Sequence, residues 1–246
     1  MSNFSPEARQ LTIAIDWDEV VEEYLDSLNQ FMNEALDMPF NVADFVRYTL
    51  NVVFPDLTQD QTRKILDEFH DSEYFDLMQT VIGAKEAIFM LRSIAEIYVV
   101  TARQYIAAFK TIAAAQKNFP EGTFAGFCFT NAMALSGDER KKSEVIQSLG
   151  KVDLIIEDSF SNILDCLPYI ETDSPVKAIL LTRRWNQDIP DEDLPEGVVR
   201  AQDWPDILKI VGLMYLDKEI KKNGGNSSSS GDIASAMLAK FLNVPA

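Results

Sequence analysis

Two aspartates separated by one residue follow the first apolar stretch of the chain. Asp16 and Asp18 come directly after Leu11–Ile15, whose apolar and β-branched residues predict a buried strand. Carboxylates at the carboxyl end of a strand lie where open α/β sheets bind their ligands. Because the two negative charges repel, the pair needs a shared proton or a cation, and Mg²⁺ prefers oxygen ligands. By itself, the pair is equally typical of a solvated loop start or a helix cap.

Polar side chains recur at the ends of the later strands that the apolar pattern predicts. Thr101 and Arg103 follow the second strand, Glu157 and Asp158 follow the fourth, and Lys142 starts the helix that precedes the fourth. In a parallel sheet, the carboxyl ends of all strands lie at one edge. We therefore expect that edge to gather a nucleophile, an acid or base, a hydroxyl group, a cation and a second acidic pair.

The alternation of apolar strands with helical patterns predicts an α/β fold with a doubly wound parallel sheet. The predicted strands are residues 11–15, 97–100, 124–129, 152–156 and 176–181, and residues 182–199 are predicted to be a loop. A helix over residues 204–215 closes the sheet. Residues 1–18 and 80–222 are thus predicted to form the core.

Residues 19–79 lack glycine and space their apolar residues as a helix does, which predicts a small helical module inserted after the first strand. We call this module the helical insertion. Its first helix is predicted from residue 20, a second spans residues 42–50, and a third spans 59–69 with Thr58 as N-cap. His70 is the only histidine of the chain and lies in this module, where a packing role is expected and no histidine chemistry.

The C-terminal stretch differs in composition from the rest of the chain. Residues 223–231 include GGNSSSSG, which is typical of a flexible linker. Residues 232–246 follow as a predicted short amphipathic helix, with Ile233, Met237, Phe241 and Val244 on one face. Because a helix this short is marginal alone, we expect it to dock on its own domain or on another protein.

Overall charge and composition narrow the range of partners. The chain has 246 residues and a formal net charge of −17, which argues against long nucleic acids, since these attract basic surfaces. Its two cysteines, Cys128 and Cys166, suit a reducing compartment. No apolar run has the length of a membrane span, and the N-terminus lacks an apolar core of the signal-peptide type. These features predict a cytoplasmic protein without a membrane partner.

The order of the motifs resembles that of the haloacid dehalogenase-like superfamily of phosphohydrolases. IDWDEVV looks like the first motif of that superfamily, VVTAR like the second, Lys142 like the third and IEDS like the fourth. The helical insertion matches the position of the cap domain that these enzymes carry between the first two motifs. Within residues 10–210, VIGAKEAIFMLRSIAEIYVVTAR and KKSEVIQSLGKVDLIIEDSFSN further resemble the 5′(3′)-deoxyribonucleotidase-like branch.

The resemblance implies a role for each motif residue. Asp16 would attack phosphorus and form an aspartyl-phosphate, while Asp18 would act as general acid and then as general base. Thr101 and Lys142 would bind the oxygens of the transferred phosphoryl group. Lys141 remains an alternative to Lys142 as the motif lysine.

The resemblance also implies a Mg²⁺ cofactor. The cation would be held by the Asp16 carboxylate, the Asp18 backbone carbonyl and Asp158, with Glu157 acting through water. Arg103 is expected either to contact the substrate or to form a structural ion pair.

This chain departs from the family pattern at two positions. Arg184 stands, beside Trp185 and Asn186, where the family usually has proline, and Glu19 stands where many members have glycine. We therefore expect this loop and the start of the helical insertion to differ from those of the family.

Together, these features predict a Mg²⁺-dependent phosphomonoesterase, most simply a nucleotidase-like one that acts on a small phosphorylated substrate such as a nucleotide. A phosphatase for another small phosphate ester is the alternative among enzymes, because residues of the helical insertion choose the substrate. A non-catalytic interaction protein, recruited on the same scaffold by its C-terminal helix, is the alternative from another class. The intact set of acidic and basic motif residues argues against that last alternative.

Overall fold

A six-stranded parallel sheet forms the centre of the computed structural model, which describes residues 11–45, 50–132 and 137–222. The strand order is β3-β2-β1-β4-β5-β6, and every neighbouring pair is parallel. The strands are β1 Leu11–Ile15, β2 Ala95–Thr101, β3 Gly126–Phe129, β4 Leu154–Glu157, β5 Ala178–Leu181 and β6 Val198–Ala201. The parallel α/β sheet that the sequence predicts is confirmed.

The sixth strand corrects the prediction of a loop over residues 182–199. β6 pairs with β5 from Ala178↔Val198 to Leu181↔Ala201. It has only four residues, of which Val198 and Ala201 are buried. Because it lies at the edge of the sheet, neither a continuous apolar run nor a regular alternation marks it in the sequence.

Helices cover both faces of the sheet. Those on the sheet are α4 Ala84–Leu91, α5 Ala108–Asn118, α6 Lys142–Leu149, α7 Phe160–Cys166 and α8 Trp204–Lys222. Three further helices, α1 Tyr24–Leu36, α2 Gln59–Asp71 and α3 Glu73–Asp76, precede them in the chain. Ile13 and Ile15 of β1 pack in one apolar cluster with α4, α5 and α8, whereas Ala14 packs in another with α6 and α7. Since successive strand residues point to opposite faces, the doubly wound arrangement is confirmed.

Helices α1 to α3 lie between β1 and α4, where the helical insertion is predicted. They share an apolar cluster rich in aromatic residues, which Ala107 and Trp185 of the remaining chain join. Thr58 caps α2 as predicted: its Oγ1 accepts from the Gln61 N–H at 3.2 Å, and the Gln61 side chain accepts from the Thr58 N–H at 2.8 Å. The domain boundaries at residues 19 and 79 stay a prediction.

Two of the predicted helices in this region are corrected. Where a helix over residues 42–50 is predicted, the described residues form two short 3₁₀ turns, Val42–Asp44 and Leu50–Val52; residues 46–49 lie outside the described part. The first helix begins at Tyr24 and not at residue 20. The reason is a turn at Glu19, whose positive φ of 59° directs the following valines into the apolar cluster on the sheet.

The two connections to the helical insertion run side by side. The Glu23 N–H donates to the Gln79 carbonyl at 2.9 Å, and the Val81 N–H donates to the Val21 carbonyl at 2.9 Å. Between them, Glu22 forms isolated bridges with both Asp18 and Thr80. Glu22 therefore lies at the junction between the sheet domain and the helical insertion.

The predicted linker over residues 223–231 and the predicted helix over residues 232–246 lie outside the described residues. Among the helices that the structure does describe, none combines the length and the apolar composition that crossing a membrane requires.

Candidate active site

Three carboxylates meet at the centre of the sheet edge, between the adjacent strands β1 and β4. Asp16 follows β1, Glu157 ends β4 and Asp158 comes next, and their nearest oxygen atoms lie within 4.8 Å of one another. The strand order reverses direction between β1 and β4, and such switch points are where open α/β sheets bind ligands. All three side chains are buried. A set of buried carboxylate oxygens suits a hard divalent cation such as Mg²⁺.

Lys142 supplies positive charge to this cluster. Its Nζ lies 2.7 Å from Asp16 Oδ1 and 2.8 Å from Glu157 Oε2. Burial lowers the pKa of Lys142, but the two carboxylates raise it more, so the ammonium group stays protonated. Lys141 is exposed and precedes the first turn of α6. The structure therefore brings Lys142, and not Lys141, to the predicted nucleophile.

The pKa values of the carboxyl groups reflect their crowding. Burial raises the pKa of Asp16, although Lys142 opposes the shift. The pKa of Glu157 rises to about 7, first through burial and then through the charge of Asp16. Burial and then Glu157 raise the pKa of Asp158 well above its ordinary value. Additional positive charge would favour the ionised forms, so the electrostatics of this cluster also fit a divalent cation.

Asp18 is held in a separate buried ion pair. Arg103 donates to Asp18 Oδ1 from Nε at 2.9 Å and from Nη2 at 2.7 Å, and Nη2 also donates to Glu22 Oε2 at 2.9 Å. Burial raises the pKa of Asp18, whereas Arg103 lowers it. Glu22 was not predicted as a site residue. Its sequence neighbours Glu19 and Glu23 are also acidic, so nothing in the local pattern distinguishes it.

Arg103 contacts the helical insertion as well as the sheet domain. Its Nη1 donates to Thr111 Oγ1 at 2.8 Å, and its guanidinium carbon lies 4.6 Å from the centroid of the Phe75 ring and 5.8 Å from that of Tyr24. The side chain is 1% exposed. Of the two roles predicted for Arg103, the structural ion pair agrees with these contacts; substrate contact stays a prediction.

Thr101 ends β2 at the same edge of the sheet and is fully buried. Its Oγ1 accepts a hydrogen bond from the Arg103 N–H at 3.2 Å. The predicted role in phosphoryl binding stays a prediction.

The loop after β5 contacts the acidic cluster, although Arg184 stands where the resembled family usually has proline. Trp185 Nε1 donates to Asp158 Oδ2 at 2.9 Å, and the Asn186 amide donates to the Asp158 carbonyl at 2.8 Å and to the Leu181 carbonyl at 2.9 Å. These contacts fix both the backbone and the side chain of Asp158. The sequence resemblance singled out Trp185 and Asn186 without indicating this contact.

A cavity of about 200 Å³ lies beside Asp18, between the sheet domain and the helical insertion. Asp18 and Arg103 line it from the sheet domain, and Tyr24, Leu28 and His70 line it from the insertion. His70 Nε2 lies 3.1 Å from the Tyr24 hydroxyl, and burial lowers the pKa of His70 to about 3. The histidine is therefore neutral, in keeping with the predicted packing role.

Comparisons with known proteins identify the fold. No protein-family model and no curated protein matches the sequence. Among solved structures, a haloacid dehalogenase-like family hydrolase from Streptococcus pneumoniae aligns with a TM-score of 0.59 and 13% identity, covering 82% of this chain and 98% of that one. A haloacid dehalogenase-like hydrolase from Bacillus subtilis, described as bound to magnesium, aligns with a TM-score of 0.55 and 13% identity over 82% and 99% of the chains.

A third structure, a candidate phosphoglycolate phosphatase from Lactobacillus plantarum, aligns with a TM-score of 0.54 and 14% identity over 82% and 99% of the chains. These likenesses show that the chain has the haloacid dehalogenase-like fold. At this level of identity they do not carry over a substrate or a residue role.

Proposed function

We propose that this protein is a Mg²⁺-dependent phosphomonoesterase. The observation that carries the proposal is the convergence of Asp16, Lys142, Glu157 and Asp158 at the switch point of the sheet, with Asp18 two residues beyond the first aspartate. The haloacid dehalogenase-like fold and the hydrolase descriptions of its structural neighbours support it.

In the proposed reaction, a carboxylate oxygen of Asp16 attacks phosphorus, and the bond between phosphorus and the ester oxygen breaks. The departing oxygen takes a proton from Asp18 and leaves as an alcohol. Water then returns a proton to Asp18 and attacks the aspartyl-phosphate, which releases inorganic phosphate and restores the Asp16 carboxylate. Asp18 thus acts first as general acid and then as general base.

Charge compensation determines whether this sequence of steps is feasible. Asp16, Asp158 and the Asp18 carbonyl would hold the cation, with Glu157 beside it; bound Mg²⁺ would neutralise charge between the nucleophile and the phosphoryl oxygens. Lys142 would bind a phosphoryl oxygen as a point charge from its position beside Asp16, and Thr101 would add a hydroxyl donor.

The substrate that we propose is a nucleotide. The sequence resemblance to the deoxyribonucleotidase-like branch supports this choice, as does a cavity beside Asp18 that Tyr24, Leu25 and Leu28 line. Another small phosphate ester is the second candidate, which the candidate phosphoglycolate phosphatase among the structural neighbours favours.

A phosphate-release screen of the purified protein tests the proposal. The substrates are nucleoside monophosphates, sugar phosphates, phosphoglycolate and p-nitrophenyl phosphate, each with Mg²⁺ and with a chelator. We expect Mg²⁺-dependent release from at least one alkyl ester, and a loss of several decades in Asp16→Asn, because the amide retains the shape but not the nucleophile.

Circular dichroism of Asp16→Asn should match that of the wild type. An Asp16→Asn protein with more than about a tenth of the wild-type rate would exclude Asp16 as the nucleophile. Absence of release from every ester would instead favour a non-catalytic protein on this scaffold.

A further inference from the structure

The carboxylate of Asp18 is fixed by a guanidinium that is itself completely enclosed. Two N–H groups of Arg103, Nε and Nη2, reach the same oxygen, Oδ1, at 2.9 and 2.7 Å. Asp18 also lines the cavity between the sheet domain and the helical insertion. Because both contacts end on Oδ1, the guanidinium sets the orientation of the carboxylate without using Oδ2.

Glu22 accepts a hydrogen bond from Arg103 Nη2, the nitrogen that also donates to Asp18. Its Oε2 accepts from Arg103 Nη2 at 2.9 Å and from Trp17 Nε1 at 2.7 Å. The Trp17 ring packs edge-on against Phe119, with centroids 6.1 Å apart, and its residue is 0% exposed. Glu22 is thus anchored to a fully buried residue of the apolar core, which fixes the position of the oxygen that Arg103 contacts.

The helical insertion closes the remaining sides of Arg103. The Phe75 ring lies under the guanidinium, and Met78 Sδ lies 3.6 Å from Nη2. Arg103 borders the cavity, but its side chain is 1% exposed and its nitrogens already donate to Asp18, Glu22 and Thr111. A substrate phosphate that bound Arg103 would therefore have to compete with these acceptors. The contacts therefore favour a role that acts through Asp18 over direct binding of substrate.

We infer that Arg103 and Glu22 are positioning residues that hold Asp18 where it can protonate the leaving oxygen of the substrate. This inference rests on the proposed phosphomonoesterase function. It assigns a role to Glu22, which the sequence motifs do not mark, and it assigns Arg103 to the acid rather than to the substrate.

The leaving group provides a selective test. A p-nitrophenolate departs readily without a proton, so its release depends little on a correctly placed acid. An alkoxide needs the proton as the bond to phosphorus breaks, so its release depends strongly on the acid. Misplacing Asp18 should therefore slow alkyl esters more than the aryl ester, whereas general damage to the site should slow both alike.

The experiment compares wild type, Glu22→Gln and Arg103→Lys at saturating Mg²⁺. The alkyl ester is the primary alkyl phosphate that wild type hydrolyses fastest, starting with thymidine 5′-monophosphate, and the aryl ester is p-nitrophenyl phosphate. We expect kcat/KM for the alkyl ester to fall at least about tenfold further than kcat/KM for the aryl ester, within the range that general acid catalysis contributes. This ratio reports phosphoryl transfer to Asp16 and excludes the later hydrolysis of the aspartyl-phosphate, in which Asp18 acts as base for both esters alike.

Lys110→Met is the matched control. Lys110 also links α5 to the helical insertion, through Asp76 at 3.1 Å and the Ser72 carbonyl at 3.1 Å, and these contacts do not involve Asp18 or Glu22. Its ratio of alkyl to aryl kcat/KM should equal that of wild type. If Glu22→Gln fails to fold, Thr111→Val replaces it, because it removes the acceptor of Arg103 Nη1 with little change of shape.

An equal loss of kcat/KM on both esters in folded variants would overturn the inference, as would an equal rise of KM for both esters at unchanged kcat, which would indicate that Arg103 binds substrate. A wild-type protein inert to both esters would contradict the proposed function itself.

Discussion

At the residue scale, Glu19 combines an unusual backbone conformation with a partly buried carboxyl group. Its φ of 59° lies in the left-handed region, which non-glycine residues rarely adopt. Its Oε1 accepts from the Leu25 N–H at 2.7 Å, and its carbonyl accepts from Arg183 Nε at 2.7 Å. Burial raises the pKa of Glu19 to about 7, although the Leu25 N–H and Arg183 oppose the shift.

This shift predicts how Glu19 affects stability at different pH values. As the pH falls from 8 to 5, the folded state takes up the Glu19 proton before the unfolded state does, so the contribution of this group to stability rises. Glu19→Gln removes the effect. We therefore compare the free energy of unfolding of the variant with that of wild type at each pH. The variant minus wild-type difference should be about 1–3 kcal/mol larger at pH 8 than at pH 5.

Urea unfolding in the presence of a chelator measures this difference. Contributions from groups that do not interact with Glu19, such as His70, cancel in the comparison of variant and wild type. The control substitution is Glu121→Gln, because Glu121 is exposed. Its free energy of unfolding should differ from that of wild type by the same amount at every pH. A difference that is likewise independent of pH for Glu19→Gln would contradict the prediction.

The sequence indicates most of the site residues but not Glu22, and the reason lies in how each side chain reaches the site. Asp16, Asp158 and Lys142 lie beside strand ends, so the strand pattern and the parallel sheet suffice to bring them together. Glu22 acquires its place through Arg103, which lies 81 positions away in the chain. The apolar pattern cannot reveal a side-chain pair of this separation, because each partner alone is an ordinary charged residue.

At the element scale, the segment after β5 supports the acidic cluster. Arg184–Asn186 form a 3₁₀ turn that directs the Trp185 indole to Asp158 Oδ2. Arg200 of β6 donates to Asn186 Oδ1 at 3.0 Å. The strand that the sequence did not predict therefore supports the loop behind Asp158. Its pairing with β5 provides the stabilisation that its own apolar pattern does not reveal.

Trp185→Phe should weaken the proposed metal site without removing any of its proposed ligands. The phenyl ring keeps most of the packing, but the N–H that orients Asp158 is lost. We expect the Mg²⁺ concentration for half-maximal activity to rise about tenfold, which is typical of losing a group that orients a ligand. Asp158→Asn should raise it further, and titration calorimetry with Mg²⁺ should give the same order without relying on turnover.

Trp204→Phe is the control for Trp185→Phe. Trp204 Nε1 donates to the Val20 carbonyl at 2.9 Å, away from the acidic cluster, so this variant should lose stability but keep the Mg²⁺ requirement of wild type. Equal Mg²⁺ requirements for Trp185→Phe and wild type would exclude a role of Trp185 in orienting Asp158.

At the scale of the whole molecule, two apolar cores surround the proposed site, one in the sheet domain and one in the helical insertion. The core of the sheet positions the strand ends, and the cluster of the helical insertion borders the cavity beside Asp18. The chain as described ends with α8, which buries Trp204, Ile207 and Val211 against the sheet. The proposed site residues all precede α8 in the sequence.

Deleting residues 224–246 should therefore leave kcat and KM for a small alkyl phosphate within about twofold of wild type, since none of the proposed catalytic groups is removed. The thermal midpoint should also stay close to that of wild type. A second truncation after residue 203 removes α8, whose buried side chains each contribute about 1.5–3 kcal/mol, and it should not fold. If the 224–246 deletion lost activity or stability as sharply as this second truncation, the C-terminal segment would have to be an integral part of the catalytic domain. Turnover and thermal unfolding of the two truncations, measured beside the full chain, decide between these outcomes.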